Sequence, residues 1–265
     1  MSPLQLERHG SIALLTLNRP QAMNALGAPG DGEAIRSVCE EVGRDASLRC
    51  AVLTGSGRAF SAGGDIKAMQ AREGVFGGAG TAIRENYRRE IHMLSRALYE
   101  LEIPLIAAVN GPAIGLGCDV ACLADMRIAS TEARFGVTFL KVGLIPGDGG
   151  AWLLQKVIGF SRTAELLYTG DVIDAQTAAD WGLVSRVVPA DELLAEAMKL
   201  AGRVAAQPPH ALRLTKSVMR QGRTAAYDGV MELSAAAQGL CHLTADHIEG
   251  VTAVLEKRAP AFRGC

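Results

Sequence analysis

The segment from Leu105 to Asp119 constrains the fold of this chain more than any other segment does. Residues 105–109 (LIAAV) are apolar and include branched side chains, so they predict a buried strand that Asn-Gly-Pro at 110–112 brings to an end. Two glycines then lead into the apolar run 120–124 (VACLA), which predicts a helix. Backbone N–H groups at such a helix start point outward and carry positive potential, so this corner can bind a negatively charged oxygen. The same pattern also fits a purely structural corner between a strand and a helix.

Two further turns share this composition. Residues 55–67 (GSGRAFSAGGDIK) follow a predicted strand, and Asp65 is placed to cap the short helix that comes next. Residues 142–150 (VGLIPGDGG) open another predicted helix. Three such turns in one core predict a shared site. Residues 74–80 contain four glycines and predict a mobile loop, for which a substrate lid and a wall of a ligand pocket are both open interpretations.

Hydrophobic periodicity predicts strands first and helices later in the chain. The predicted strands are 11–17, 50–54, 105–109, 126–129 and 134–137. The predicted helices before residue 170 are 33–42 and a long amphipathic helix over 81–101. Beyond Gly170 the pattern is helical, with helices over 175–181, 192–205, 210–220, around 231–240 and over 245–257. The sequence therefore predicts one main α/β domain with a helical appendage.

Composition narrows the class of partner. The net charge is −1 with both signs interspersed, which argues against a nucleic-acid or membrane surface and favours a small molecule. The first residues lack the pattern of a signal peptide, and no apolar run approaches the roughly 20 residues that span a bilayer, so we expect a cytoplasmic protein. Six scattered cysteines without a CxxC pair predict buried free thiols and no metal site.

The motifs taken together resemble the enoyl-CoA hydratase/isomerase, or crotonase, family, whose members bind acyl-CoA thioesters. They cover almost the whole chain and lie at 17–26 (LNRPQAMNAL), 59–67, 110–119, 124–129, 135–136, 143–150 and 181–184. The resemblance implies an α/β fold, a crotonase-like spiral of ββα turns with a CoA site over residues 1–200, and a C-terminal helical region over 201–265 used in trimerisation. It also implies a homotrimer or a homohexamer built as a dimer of trimers.

The resemblance also assigns roles to residues of this chain. It places the two oxyanion-hole donors on the backbone N–H groups of Ala62 and Leu116, where they would stabilise a thioester enolate by about 3 kcal/mol each. It places further contacts to CoA at Ala22, Ala62, Gly64, Asp65, Ile66, Lys67 and Lys257. No cofactor is expected beyond the CoA moiety of the substrate.

The acid–base residues depart from the family pattern. Hydratases of the family use two glutamates, and the matching positions here are Asp119 and Phe139. Phe139 cannot transfer a proton, so Asp148 is the candidate substitute, although an aspartate at a helix start can also be a simple N-cap. Asp119 can likewise be a partner for a nearby arginine rather than a proton carrier.

A double-bond shift needs only one well-placed carboxylate, whereas hydration in its usual form needs two. We therefore expect isomerisation of an enoyl-CoA, or hydration with an atypical acid–base pair, with Asp119 and Asp148 as the proton carriers. Thioester hydrolysis, decarboxylation and a non-catalytic acyl-CoA-binding role remain as alternatives.

Overall fold

The computed structural model describes residues 2–265. Its strands are β1 (Leu4–His9), β2 (Ile12–Leu17), β3 (Cys50–Gly55), β4 (Leu105–Val109), β5 (Pro112–Ile114), β6 (Met126–Ser130), β7 (Arg134–Gly136), β8 (Val172–Asp174) and β9 (Val187–Val188). Its helices up to residue 169 are α1 (Asp31–Arg44), α2 (Ile66–Ala71), α3 (Gly80–Arg89), α4 (Ile91–Glu100), α5 (Leu116–Leu123), α6 (Gly150–Leu153), α7 (Gln155–Ile158) and α8 (Phe160–Thr169). The later helices are α9 (Ala175–Asp180), α10 (Leu193–Ala205), α11 (Pro209–Gln221), α12 (Tyr227–His242) and α13 (Ala245–Glu256). Short 3-10 helices cover Pro20–Ala22, Gly74–Phe76 and Phe139–Val142.

The main sheet has six strands in the order β1-β2-β3-β4-β6-β9. The β1–β2 pair is antiparallel and every other pair is parallel. Every residue of β4 is buried because both faces of this central strand are covered. One face, with Leu105 and Val109, packs into the larger apolar core, and the other, with Ile106, packs with α10.

A smaller sheet brings the glycine-rich segments together. Its order is β5-β7-β8, and β5 follows directly from the end of β4. The Ser61 N–H donates to Pro112 O at 3.1 Å, and the Ile114 N–H donates to Ser61 O at 2.9 Å, so the loop after β3 pairs with the edge of β5. Strand pairing thus holds the loop of residues 61–65 beside the start of α5.

The predicted strands are confirmed to within two residues, whereas the single helix predicted over 81–101 is wrong. The chain breaks between α3 and α4 at Glu90, which has φ −108° and ψ −70°. The Glu90 carboxylate accepts the Gly32 N–H at 2.9 Å, in the first turn of α1. A contact with a distant helix therefore fixes the break, and periodicity along the segment does not show it.

The predicted boundary between residues 200 and 201 falls inside α10, which is continuous from Leu193 to Ala205. The division into two domains stays a prediction, but a boundary after Ala205 fits the helices better. Four of the six cysteines are buried as expected, whereas Cys241 is half-buried and Cys265 is exposed, so the expectation of burial is wrong for these two. Over residues 2–265, no helix is long and apolar enough to cross a membrane.

An ion pair between a buried lysine and an exposed aspartate fastens α11 to the core. The Lys216 ammonium is 2.7 Å from the Asp125 carboxylate and donates to Ile103 O at 2.8 Å. The same carboxylate accepts the Leu105 N–H at 2.8 Å, at the first residue of β4. The pair therefore links α11 to the strand that leads into the glycine corner.

Truncation of this lysine is expected to destabilise the fold. In Lys216→Ala the Ile103 carbonyl loses its donor and the exposed Asp125 carboxylate loses its cation, so we expect the free energy of unfolding to fall by about 1–3 kcal/mol. Denaturant unfolding measures this loss. The control is Lys199→Ala, because Lys199 is an exposed lysine paired with Glu196 and its loss should cost about 0.5 kcal/mol or less. Equal effects of the two substitutions would show that the Lys216–Asp125 pair does not anchor α11.

Candidate active site

The three glycine-rich turns meet at one place, as predicted. Gly63 has φ +83°, and a Cβ on it would meet Ile114 O and lie 3.1 Å from the Leu116 nitrogen. The third turn joins them because the Gly150 N–H donates to the Asp119 carboxylate at 3.1 Å. The loop after β3, the start of α5 and the start of α6 therefore form one site.

Two backbone N–H groups at this place are available to a ligand. The Leu116 N–H, at the first residue of α5, makes no hydrogen bond to any group in residues 2–265. In the facing loop, the Gly64 N–H likewise makes no hydrogen bond within the described chain. The Ala62 N–H instead donates to Met23 O at 2.9 Å. The prediction that Ala62 supplies an oxyanion donor is therefore wrong, because its N–H group is already occupied, whereas the Gly64 N–H group is not.

Two buried carboxyl groups belong to the same site. Asp119 is 1% exposed, and burial together with the charge of Asp148 raises its pKa well above the usual range. Asp148 is 4% exposed, and burial raises its pKa to about 7. The Asp148 Oδ1 has no hydrogen-bond partner within residues 2–265. Burial and the Asp148 charge therefore favour the neutral form of Asp119, while Asp148 can take up or release a proton near pH 7.

The turn that carries Asp148 is held from α3 and α4. The His92 Nε2–H donates to Gly147 O at 2.8 Å, and the rings of His92 and Tyr87 pack edge to face with centroids 6.2 Å apart. Burial and the nearby Asp148 charge both raise the pKa of the Tyr87 phenol. Sequence reasoning missed both aromatic residues, and a polar ring beside a glycine turn is visible only once the helix is packed.

Phe139 provides an apolar surface where hydratases of the resembled family carry a glutamate. It begins a 3-10 helix and is half-buried. Its ring lies 3.7 Å from the position of a Cβ on Gly115, at the start of α5. The site thus has carboxyl groups at Asp119 and Asp148 and a hydrocarbon wall at Phe139.

The residues predicted to contact CoA lie in two places. Ala22 is joined to the loop of residues 62–65 by the bond from Ala62 N–H to Met23 O. Asp65 caps α2, as predicted, accepting the N–H groups of Lys67 at 2.8 Å and Ala68 at 3.1 Å. Ile66 and Lys67 are exposed beside it. Lys257 follows α13, which packs on α12 and holds the C-terminal tail.

A family model and individual relatives point to the same protein family. The family model described as "Enoyl-CoA hydratase/isomerase" matches residues 7–265. The chain is 40% identical over 264 residues to the crotonyl-CoA hydratase of Syntrophomonas wolfei, covering 97% of this chain and 96% of that protein. It is 36% identical over 253 residues to the 1,2-epoxyphenylacetyl-CoA isomerase of Escherichia coli K12, covering 96% of this chain and 95% of that protein.

A solved structure confirms the predicted fold. The crystal structure of an enoyl-CoA hydratase from Bacillus anthracis matches with a TM-score of 0.91 at 32% identity, covering 99% of this chain and 100% of that one. The mixed α/β crotonase fold with its helical C-terminal region is therefore shown. From the match over nearly its whole length and the similarity of its structure, this chain belongs to the enoyl-CoA hydratase/isomerase family.

Proposed function

We propose that this enzyme isomerises the double bond of a 3-enoyl-CoA thioester, with Asp148 as the proton carrier. The observation that supports this most is the state of Asp148: it is buried, its pKa is about 7 and one of its oxygens has no partner in the described chain. A group with a pKa near the working pH serves both as base and as acid, which is what a proton shuttle requires.

The reaction needs two kinds of group: N–H donors that stabilise negative charge and a carboxylate that moves the proton. The Gly64 and Leu116 N–H groups donate hydrogen bonds to the thioester oxygen, which becomes negatively charged when a proton leaves the neighbouring carbon. The Asp148 carboxylate takes that proton from carbon 2 and returns it to carbon 4, so the double bond moves from carbons 3 and 4 to carbons 2 and 3. No cofactor beyond the CoA moiety is needed, because only a proton changes place.

Asp119 supports the reaction as a neutral group. Its protonated carboxyl adds no negative charge beside Asp148, and its Oδ2 accepts the Gly150 N–H two residues after Asp148. A neutral Asp119 thus holds the third turn and lets Asp148 ionise near neutral pH. In this proposal Asp119 is a positioning residue and Asp148 is the catalytic one.

Hydration is the second candidate. It is favoured by the presence of two carboxyl groups close enough that the charge of one raises the pKa of the other. Asp119 and Asp148 would then share the roles of acid and base toward a water molecule. The apolar Phe139 argues against this, because it occupies the place where a hydratase of the family carries its second carboxylate.

The pH dependence of the reaction tests the role of Asp148. The carboxylate is the reactive form, so kcat/KM for a 3-enoyl-CoA should rise about tenfold per pH unit below pH 7 and level off above it. Asp148→Asn should remove this rise from whatever activity remains. A profile that falls through pH 7, or one that keeps the same midpoint in Asp148→Asn, would assign the titration to another group.

Ala22, Gly64, Asp65, Ile66, Lys67 and Lys257 form the proposed CoA contacts. The exposed Lys67 is suited to the CoA phosphates because its side chain makes no ion pair within residues 2–265. Lys257, which follows α13, likewise makes no ion pair within the described residues. The six free thiols support a cytoplasmic location, where reducing conditions prevail.

We further propose a homotrimer, with the hexamer as a pair of trimers. Large apolar side chains are exposed at the end of α12 and on α13, namely Leu243 at 86%, Val254 at 77% and Leu255 at 78%. Apolar surface of this extent is typical of an interface. Light scattering after gel filtration should give three or six times the mass of the 27.8 kDa chain. A monomer at micromolar concentration would refute the proposed assembly.

A further inference from the structure

An open cavity of about 470 Å³ adjoins the turn that carries Asp148. Its lining includes Gly147, the residue before Asp148, together with Tyr87 and His92 of the helices that hold this turn. Leu144 and Ile145 form an apolar side, and Arg84 and Arg88 complete the lining. The cavity therefore runs from beside the proposed proton carrier to a pair of arginines.

A line of aromatic rings connects this cavity with the oxyanion donors. The Phe76 ring lies 3.6 Å from the position of a Cβ on Gly64, and it packs edge to face on Tyr87 with centroids 6.3 Å apart. Tyr87 in turn lies 3.7 Å from the position of a Cβ on Gly147. An acyl group whose thioester oxygen is bound at Gly64 and whose reacting carbons face Asp148 therefore lies along Phe76 and Tyr87.

The charge at the outer end of the cavity is positive. Arg84 and Arg88 both bind the same oxygen of Glu85, at 2.8 Å and 3.3 Å. One carboxylate cannot neutralise two guanidinium groups, so one positive charge remains. Arg84 and Arg88 also lie on the same face of α3 as Tyr87, at helical spacings of three to four residues.

We propose that this cavity binds the distal end of the acyl group and selects acyl-CoAs that carry an anionic group there, such as a terminal carboxylate. The inference rests on the acyl-CoA site proposed above and adds the class of its substrate. The apolar wall of Phe76, Tyr87, Leu144 and Ile145 contacts the methylene groups, and Arg84 and Arg88 bind the terminal anion. Arginine is suited to this role because its planar fork matches a carboxylate.

Binding of two acyl-CoAs of equal length tests this inference. Hexanoyl-CoA and adipyl-CoA both have six acyl carbons, are saturated and differ at the far end, so calorimetry reports binding without turnover. We expect adipyl-CoA to bind the wild-type enzyme about fivefold more tightly than hexanoyl-CoA. In the double variant Arg84→Gln/Arg88→Gln this advantage should disappear, with the affinity for hexanoyl-CoA unchanged. The control Arg203→Gln removes an exposed charge on α10 and should leave both affinities as they are.

The outcomes separate this inference from the proposed function. If hexanoyl-CoA binds as tightly as adipyl-CoA or more tightly, or if the double variant weakens both equally, the anion subsite is refuted while the acyl-CoA site stands. If neither compound binds, the proposed acyl-CoA site fails as well.

Discussion

Replacement of Asp148 by asparagine is expected to lower kcat for a 3-enoyl-CoA by about 10²- to 10⁴-fold, because the amide keeps the shape of the side chain and cannot carry the proton. The variant should fold, because burial disfavours the ionised form of Asp148 and the asparagine that replaces it is neutral. Steady-state rates, with a thermal melt to confirm folding, measure the effect.

The matched control is Asp119→Asn. Burial and the Asp148 charge favour the neutral form of Asp119, and an asparagine oxygen can still accept the Gly150 N–H. We therefore expect Asp119→Asn to retain activity within about tenfold of wild type. If Asp119→Asn abolishes turnover and Asp148→Asn does not, the two roles are reversed and the assignment made here is wrong.

Gly63→Ala is expected to lower kcat by about 10²- to 10³-fold with a smaller effect on KM, because it separates the two oxyanion donors. A methyl group on Gly63 would meet Ile114 O and press toward the Leu116 nitrogen, so the loop bearing Gly64 must move away from α5. The geometry that lets both N–H groups reach one oxygen is then lost. Kinetics on a 3-enoyl-CoA, with butyryl-CoA binding as the measure of ground-state affinity, separate the two effects.

Gly182→Ala controls for backbone strain in that experiment. Gly182 has φ +78°, close to the +83° of Gly63, but a Cβ there meets nothing within 4 Å. Both variants should lose similar stability from the left-handed backbone, about 1–2 kcal/mol, and only Gly63→Ala should lose turnover. Equal loss of activity in both would mean that stability, and not the oxyanion donors, limits the rate.

The sequence was most informative where the local pattern was strong. Residues 105–109 are apolar throughout and form the central strand, and the glycine turn after them opens α5 as predicted. The three glycine-rich turns were expected to meet, and the approach of Gly63 to Leu116 and the bond from Gly150 to Asp119 confirm it. Asp65 caps α2 as its position before a short helix predicts.

The failures of prediction come from tertiary contacts. The break at Glu90 depends on a bond from Gly32 of α1, more than fifty residues away in the chain. Whether Ala62 or Gly64 has an N–H group available for the oxyanion depends on the neighbouring segment 22–26. Met23 O in that segment accepts the Ala62 N–H and leaves the Gly64 N–H without a partner in the described chain. Tyr87 and His92 enter the site only because α3 and α4 pack against the turn at Gly147. Periodicity along a segment contains none of this information.

The most direct test of the central claim is analysis of the products formed from a 3-enoyl-CoA and from crotonyl-CoA in water labelled with heavy oxygen. Mass spectrometry distinguishes a shifted double bond, which leaves the mass unchanged, from an added water molecule, which brings the label into the product. We expect rapid conversion of the 3-enoyl-CoA to its 2-enoyl isomer, with no label in that product and negligible hydration of crotonyl-CoA. Rapid labelling of crotonyl-CoA without isomerisation of the 3-enoyl-CoA would contradict it and establish a hydratase that works with two aspartates.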